Sequence, residues 1–380
     1  MNTIISKISK GLQEVPIELQ RLIKSQYPAF VTDRNVAFLD AQVPTFMFHT
    51  VNRLGLETQL EFLKINGYQT LTIQTFMAFL QGEIELKEPA VLLTFDDGEK
   101  SWYEVAYPLL KRYGFHAVGF VVPYHIKEQP EPANGKKGWL SWSELLEMEQ
   151  SGVFEFESHS FYHARIFVQP KLVDFFHPKY SNSWNLDIPW IENNGTYTNQ
   201  LEWGTPIYSN APRLAGLPRY IDDEKVRHAC ISFVESQGAA EFFNRDNWRT
   251  ELKKIYQNVS KKTDSLKYES LQEKEAQMLR DLVKAKNTLS ERLNKPIEHL
   301  CYPWGTGSDL AVSLSKKAGY SSNFWVNIDQ RNTNKKGDDP YYIPRIKDDY
   351  LFRLPGKGRK SLGQIFKEKL HRRFRKTDIY

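Results

Sequence analysis

A chain of 380 residues with 51 basic and 46 acidic side chains has a formal charge of only +5, too mild and too mixed to mark a nucleic-acid binder. Its two cysteines, Cys230 and Cys301, lack the spacing of a zinc knuckle or a disulfide framework, and no apolar run reaches the roughly 18 residues of a membrane span. The amphipathic N-terminus lacks the continuous apolar core of a secretory signal, which fits a cytoplasmic protein.

Residues 1 to 43 read as a helix and an irregular lead-in. Thr45 to Val51 then forms a short apolar strand with His49 near its end. Helical patterns follow around Gln59 to Ile65, closed by Asn66-Gly67, and around Ile73 to Leu80. Val91 to Gly98, reading VLLTFDDG, is a buried strand that ends in two adjacent carboxylates, Asp96 and Asp97. Asp-Asp-Gly is also ordinary turn chemistry. Ionised carboxylates are nonetheless costly to bury without a cation or donors, so the pair points to a site at a strand end.

Beyond Gly98 come a helix over Ser101 to Tyr113, a strand over His116 to Val122, a loop rich in Pro, Gly and Lys over Gln129 to Gly138, and a helix over Ser141 to Gln150. The strand Val153 to Phe156 runs into Glu157-Ser158-His159-Ser160-Phe161-Tyr162-His163. The two histidines, four apart, would face the same way if this segment turned helically, a spacing that suits two imidazoles on one ion. Strands alternating with helices imply a mostly parallel sheet or a β/α barrel, in which reacting groups gather where strands end.

The rhythm breaks over residues 164 to 267. This part is expected to be an insertion folded over the barrel, with Trp184, Trp190, Tyr197 and Trp203 forming its own small core or lining a sugar site. A charged helix over Tyr268 to Leu293 leads to the strand and turn Leu300 to Gly305. The helix Ser308 to Ala318, a strand over Ser322 to Val326 and a strand over Tyr341 to Ile346 carrying Arg345 complete the barrel. The expected divisions are therefore 1–43, a barrel from 44–163 and 268–350, the insertion 164–267, and a tail 351–380.

Asp97, His159 and His163 offer one carboxylate and two imidazoles, a set that leaves positions open for water and substrate, as hydrolytic metal sites require. Asp96 is the nearest base, and His49 the strand-end histidine able to protonate a leaving group.

TFDDG at Thr94 to Gly98, HSFYH at His159 to His163 and the Trp139-Leu140-Ser141-Trp142 lead-in together resemble the polysaccharide deacetylase family, the NodB-like group also called carbohydrate esterase family 4. The resemblance implies a distorted (β/α) barrel and metal-dependent removal of acetyl groups from an N-acetylated sugar or glycan, with Zn²⁺ the expected ion. It implies Asp96 as base and Asp97, His159 and His163 as metal ligands. The strand Phe48-His49-Thr50-Val51 is similar to that of the subgroup acting on poly-N-acetylglucosamine, whose acid histidine lies early, so the acid role falls on His49. The turn Tyr302 to Gly305 resembles the subgroup's third motif, in which a backbone N–H near Trp304 would hold the oxyanion. Cys301 stands where the wider family has an arginine, and Arg345 could replace it as the partner of the base. Glu157 occupies a position usually small, where it could crowd or charge the site. An O-acetyl esterase on the same groups and a non-catalytic sugar-binding barrel are the alternatives.

Gly356 to Lys376 is strongly basic, with Leu362, Ile365, Phe366, Leu370 and Phe374 at helical spacing. It is expected either to dock on the barrel or to make a peripheral contact with anionic lipid at the inner membrane surface.

Overall fold

A computed structural model describes residues 27–39, 41–131, 138–180, 185–193, 195–261, 266–326, 328 and 331–374. Most of the N-terminal lead-in helix, the centre of the Pro/Gly/Lys loop, Trp184 and the end of the basic tail lie outside the described residues. The chain divides into two compact units. One comprises the described residues of Met1–Phe161, Lys284–Gly305 and Gly319–Tyr380; the other comprises those of Tyr162–Val283 and Thr306–Ala318. The expected barrel and insertion thus trade some chain. The first turns of the long helix Leu271–Leu293 and the helix Asp309–Lys317 group with the insertion, and the tail groups with the barrel.

The first unit is built on eight parallel strands: β1 Thr45–Phe48, β2 Ala90–Asp97, β3 Ala117–Val121, β4 Phe154–Ser158, β5 His299–Cys301, β6 Ser322–Trp325, β7 Ile343–Pro344 and β8 Ile346–Lys347. They run in the order β7-β6-β5-β4-β3-β2-β1-β8. β7 and β8 are two halves of one stretch, broken only at Arg345; the first half pairs with β6 and the second with β1. The two edges of the sheet therefore meet at a single residue, giving the distorted (β/α) barrel expected from the alternation of elements. All eight residues of β2 are buried, as a parallel strand covered on both faces requires. Helix starts follow their caps. Asn52 accepts from Gly55 N–H, Thr72 from Thr75 N–H, and Ser141 forms a reciprocal capping box with Glu144. Leu92, Val118, Phe120, Cys301 and Phe324 pack with Phe76, Phe79 and Leu80 as one apolar core.

The second unit has its own cores. Phe175, Cys230, Val234, Phe242, Trp248 and Leu252 form one, and Phe167, Ile191, Ile207 and Tyr208 another. Its longest pairing is antiparallel, Arg165–Phe175 with Pro206–Pro212. A buried two-point ion pair joins Arg213 to Glu269 at 2.5 and 2.9 Å. The two expectations for its aromatics divide: Trp190 is buried and stacks on Tyr197 at 5.0 Å, whereas Trp203 is 39 % exposed.

The tail helix Leu362–Phe374 turns Ile365 and Lys369 inward. Lys369 reaches Asp349 at 3.1 Å, and Arg372 pairs with the same carboxylate. Its basic face is therefore partly engaged with protein, while Leu370 stays 46 % exposed. Among the described residues, no helix is long and apolar enough to cross a membrane.

Candidate active site

In a parallel barrel every strand delivers its last residues to the same end. β2 brings Asp96 and Asp97 there, β1 leads into His49, β4 into His159, and β5 into the Tyr302–Gly305 turn. Thr94 and Asp96, two apart on β2, share a face. Arg345 meets both: its guanidinium donates to the Asp96 carboxylate at 2.6 and 2.7 Å and to the Thr94 hydroxyl at 3.0 Å. Burial pushes the Asp96 pKa up, but Arg345 and, next, His159 outweigh it and hold the carboxyl well below its usual range. Cys301 Sγ also lies beside this carboxylate, 3.8 Å from Asp96 Oδ1.

Asp97 departs from strand geometry with φ +91°. Its carboxyl is pushed up to about 8 by burial and by the Asp96 charge beside it. Adjacent acids are thus driven in opposite directions, the mark of groups with different tasks. His159 lies with Nε2 3.5 Å from Asp97 Oδ1, and its Nδ1 is 2.9 Å from the Cys301 carbonyl oxygen. That carbonyl can only accept, so Nδ1 carries the proton and Nε2 presents its lone pair. Burial lowers the His159 pKa to about 4, keeping the imidazole neutral as a metal ligand must be.

The expected helical turn between His159 and His163 does not form. Ser160 and His163 instead adopt positive φ, +60° and +52°, and the loop brings the second imidazole back to the first. Asp97, His159 and His163 each offer one ligand atom, and these lie within 4.8 Å of one another, all buried. His163 follows Phe161 by two residues, so this short loop sets its position. The donor set fits a divalent ion: two imidazoles and a carboxylate, all buried.

His49 Nε2 stands 4.0 Å from Asp96 Oδ2, with its side chain 28 % exposed. Burial lowers its pKa and Asp96 raises it, with a net downward shift. Trp304, 38 % exposed, has φ +60°, rare for a bulky residue. Gly305 follows with φ +62°, and a Cβ there would lie 2.1 Å from the Val326 side chain, so the turn admits only glycine. Asp97, Ser160, His163 and Trp304 are four of the eight non-glycine residues with positive φ among those described. Backbone strain concentrates where function would use it.

Glu157 neither crowds nor charges this site. It accepts from the N–H groups of Glu298 and His299 at 2.9 and 2.8 Å and lies 3.8 Å from Lys295, tying β4 to the start of β5. The sequence reading missed the Cys301 carbonyl and the Thr94 hydroxyl. Backbone acceptors leave no mark in sequence, and Thr94 is legible only from its i, i+2 relation to Asp96.

The fold and site together define a (β/α) barrel of the NodB-like deacetylase type, with a carboxylate–imidazole set at its strand ends. Residues 83–196 match the polysaccharide deacetylase family model. It is 33 % identical over 134 residues to the YxkH protein of Bacillus subtilis, covering 33 % of this chain and 45 % of that one. It is 31 % identical over 112 residues to a poly-beta-1,6-N-acetyl-D-glucosamine N-deacetylase of Staphylococcus aureus, covering 30 % of this chain and 37 % of that one. The chain thus spans less than half the length of these relatives. Among solved structures, a de-N-acetylase from Aggregatibacter actinomycetemcomitans superposes with TM-score 0.53 at 20 % identity, over 86 % of this chain and 99 % of that one. The BpsB deacetylase domain from Bordetella bronchiseptica gives 0.52 at 16 %, over 82 % and 99 %. These two likenesses establish the fold.

Proposed function

We propose that this protein is a metal-dependent hydrolase that removes N-acetyl groups from an N-acetylated glycan of the poly-N-acetylglucosamine kind, in the biosynthesis of a cell-surface polysaccharide. The observation that carries the reading is the convergence of Asp97, His159 and His163 beside the Asp96–Arg345 pair. A divalent ion held by the three, Zn²⁺ in this reading, would act as a Lewis acid toward the acetamide carbonyl and would acidify water.

The chain's own groups do the rest. Asp96, kept ionised by Arg345, takes the proton of the attacking water; the two-point grip fixes which way its oxygens face. The backbone N–H at Trp304, set by the strained turn, donates to the developing oxyanion. His49, whose Nε2 lies 4.0 Å from Asp96 Oδ2, gives its proton to the departing sugar amine. The same groups could cleave an acetyl ester, so the product decides between the two. The proposed location is cytoplasmic. A peripheral contact with anionic lipid through the tail helix is supported only by its outward residues Lys367, Leu370 and His371.

The test is acetate release from oligomers of β-1,6-linked N-acetylglucosamine, with free amine measured alongside, before and after chelation. Acetate appearing with amine, abolished by chelator and restored by Zn²⁺, supports the reading. Acetate without amine makes the protein an esterase, and binding of the oligomer without acetate makes it a sugar-binding barrel.

A further inference from the structure

The ladder between β1 and β2 ends at Phe48 opposite Phe95. His49 therefore lies one residue past the last paired position, on a turn whose aim the sheet does not set. Three consecutive residues of that turn are held by the segment following Asp97-Gly98. The Trp102 indole N–H donates to the His49 carbonyl at 3.0 Å, the Val51 N–H donates to the Ser101 hydroxyl at 3.1 Å, and the Thr50 hydroxyl donates to the Glu99 carboxylate.

Trp102 is itself immobilised. It is fully buried, stacks on Phe154 at 6.2 Å and 4°, and meets Phe95 edge-on at 5.8 Å. Gly119 on β3 makes the room, because a Cβ there would come within 3.0 Å of the indole. Phe95 in turn stacks on Phe48 at 4.8 Å. The residues just before the proposed acid and the proposed base thus lie face to face, and the indole beneath reaches back to the acid's own carbonyl. Trp102 also opens a π-helical turn, Trp102–Ala106, a local widening common at functional sites.

We infer that Trp102 and Ser101 are positioning residues for His49, fastening the turn that carries it to the backbone that carries Asp96 and Asp97. The inference rests on the deacetylase reading. In the step it serves, the C–N bond breaks with its electron pair going to nitrogen, which takes the proton that His49 carries. An amine is a poor leaving group and needs that proton at the moment of cleavage; a nitrophenolate leaves without one. Misaligned His49 should therefore slow the amide and spare the activated ester.

The experiment uses the full chain loaded with Zn²⁺, comparing wild type, Trp102→Phe and Ser101→Ala on an oligomer of β-1,6-linked N-acetylglucosamine and on 4-nitrophenyl acetate. Trp102→Phe keeps a ring and removes only the donor; Ser101→Ala is a small change that should fold even if the first variant does not. The expected result is a fall in kcat on the oligomer of about tenfold to a hundredfold. KM, zinc content and ester turnover should stay within about twofold. Parallel loss on both substrates, or no loss on either, overturns the positioning role. A wild-type chain that releases no acetate from the oligomer removes the deacetylase reading and this role with it. A wild-type chain that does release it, matched by both variants, removes the positioning role alone.

Discussion

Arg345 holds Asp96 by two parallel hydrogen bonds, 2.6 and 2.7 Å long, from the one residue at which the two edges of the barrel meet. Closing the barrel and orienting the proposed base are thus one structural event. Removing one partner of a buried ion pair leaves the other charge uncompensated. Arg345→Met should cost about 3 to 5 kcal/mol of stability by that argument, read as a lowered midpoint in urea. Asp96 has a folded pKa below its unfolded value, so its contribution is present above the unfolded pKa and is lost as the pH falls through the depressed folded one. Wild type should therefore lose stability on acidification more steeply than Arg345→Met. Parallel curves would show that the pair contributes nothing to folding.

Asp96→Asn keeps the shape and the bonds that Arg345 can donate to one oxygen, while removing the proposed base. Bound metal, measured by elemental analysis, should stay near wild type, and kcat should fall by about a hundredfold to ten-thousandfold. Asp97→Ala and His159→Ala should instead lose the metal. If Asp96→Asn hydrolyses the oligomer at the wild-type rate, Asp96 is not the base.

Without an ion, Asp97 carries a pKa raised to about 8. A carboxyl raised above its unfolded value favours the folded state only while protonated, so the apo protein loses that contribution as the pH rises from the unfolded pKa toward about 8. A bound cation reverses this, because the ligand must be ionised to bind it. The rise in Tm on adding Zn²⁺ should accordingly be larger at pH 8 than at pH 6. In Asp97→Asn that difference should disappear. A metal-induced shift equal at the two pH values in wild type would mean that Asp97 is not a ligand.

Glu157 has the same sign of shift and the same leading cause, without a neighbouring aspartate to add to it. Burial raises its pKa to about 8, against the pull of Lys295 and of two backbone donors. Glu157→Gln can still accept from His299 N–H and carries no charge to desolvate. Its Tm should fall less than that of wild type between pH 5 and pH 8, with acetate release unchanged. A drop in activity would mean that Glu157 acts on His159, two residues along the same chain.

How far the sequence led depends on what each part rests on. Barrel alternation was legible because fully apolar strands such as Val91–Phe95 and capped helices such as Trp142–Gln150 leave local signatures. The proximity of Asp97 to His159 and His163 followed from strand ends sharing one end of a barrel. The route of the Ser158–His163 loop was not legible, because two non-glycine residues take positive φ where a helical turn was the cheaper expectation. Arg345 was legible as a residue of the closing strand and a candidate partner of the base, but its two-point grip and its bond to Thr94 were not, because those partners lie 249 and 251 positions away. The fastening of His49 escaped for the same reason, since an indole N–H aimed at a carbonyl is invisible in one dimension.

Trp304 offers a test in which stability and activity should move apart. Its left-handed backbone, φ +60°, costs a bulky residue of order 1 kcal/mol that glycine would not lose. The side chain is 38 % exposed, so its removal forfeits only part of the burial that a core tryptophan would give up. Trp304→Gly should therefore lower the urea midpoint only modestly, because relief of the strain offsets part of the lost burial. Activity should fall, because a glycine at this position loosens the N–H proposed to hold the oxyanion, and preorganised donors of this kind are typically worth a hundredfold or more, about 3 kcal/mol of barrier. The split should appear in kcat rather than KM, since the oxyanion exists only after attack. If Trp304→Gly is destabilised by several kcal/mol and loses activity only in proportion to the folded fraction, the strained turn is a packing feature, and the oxyanion must be held by other donors.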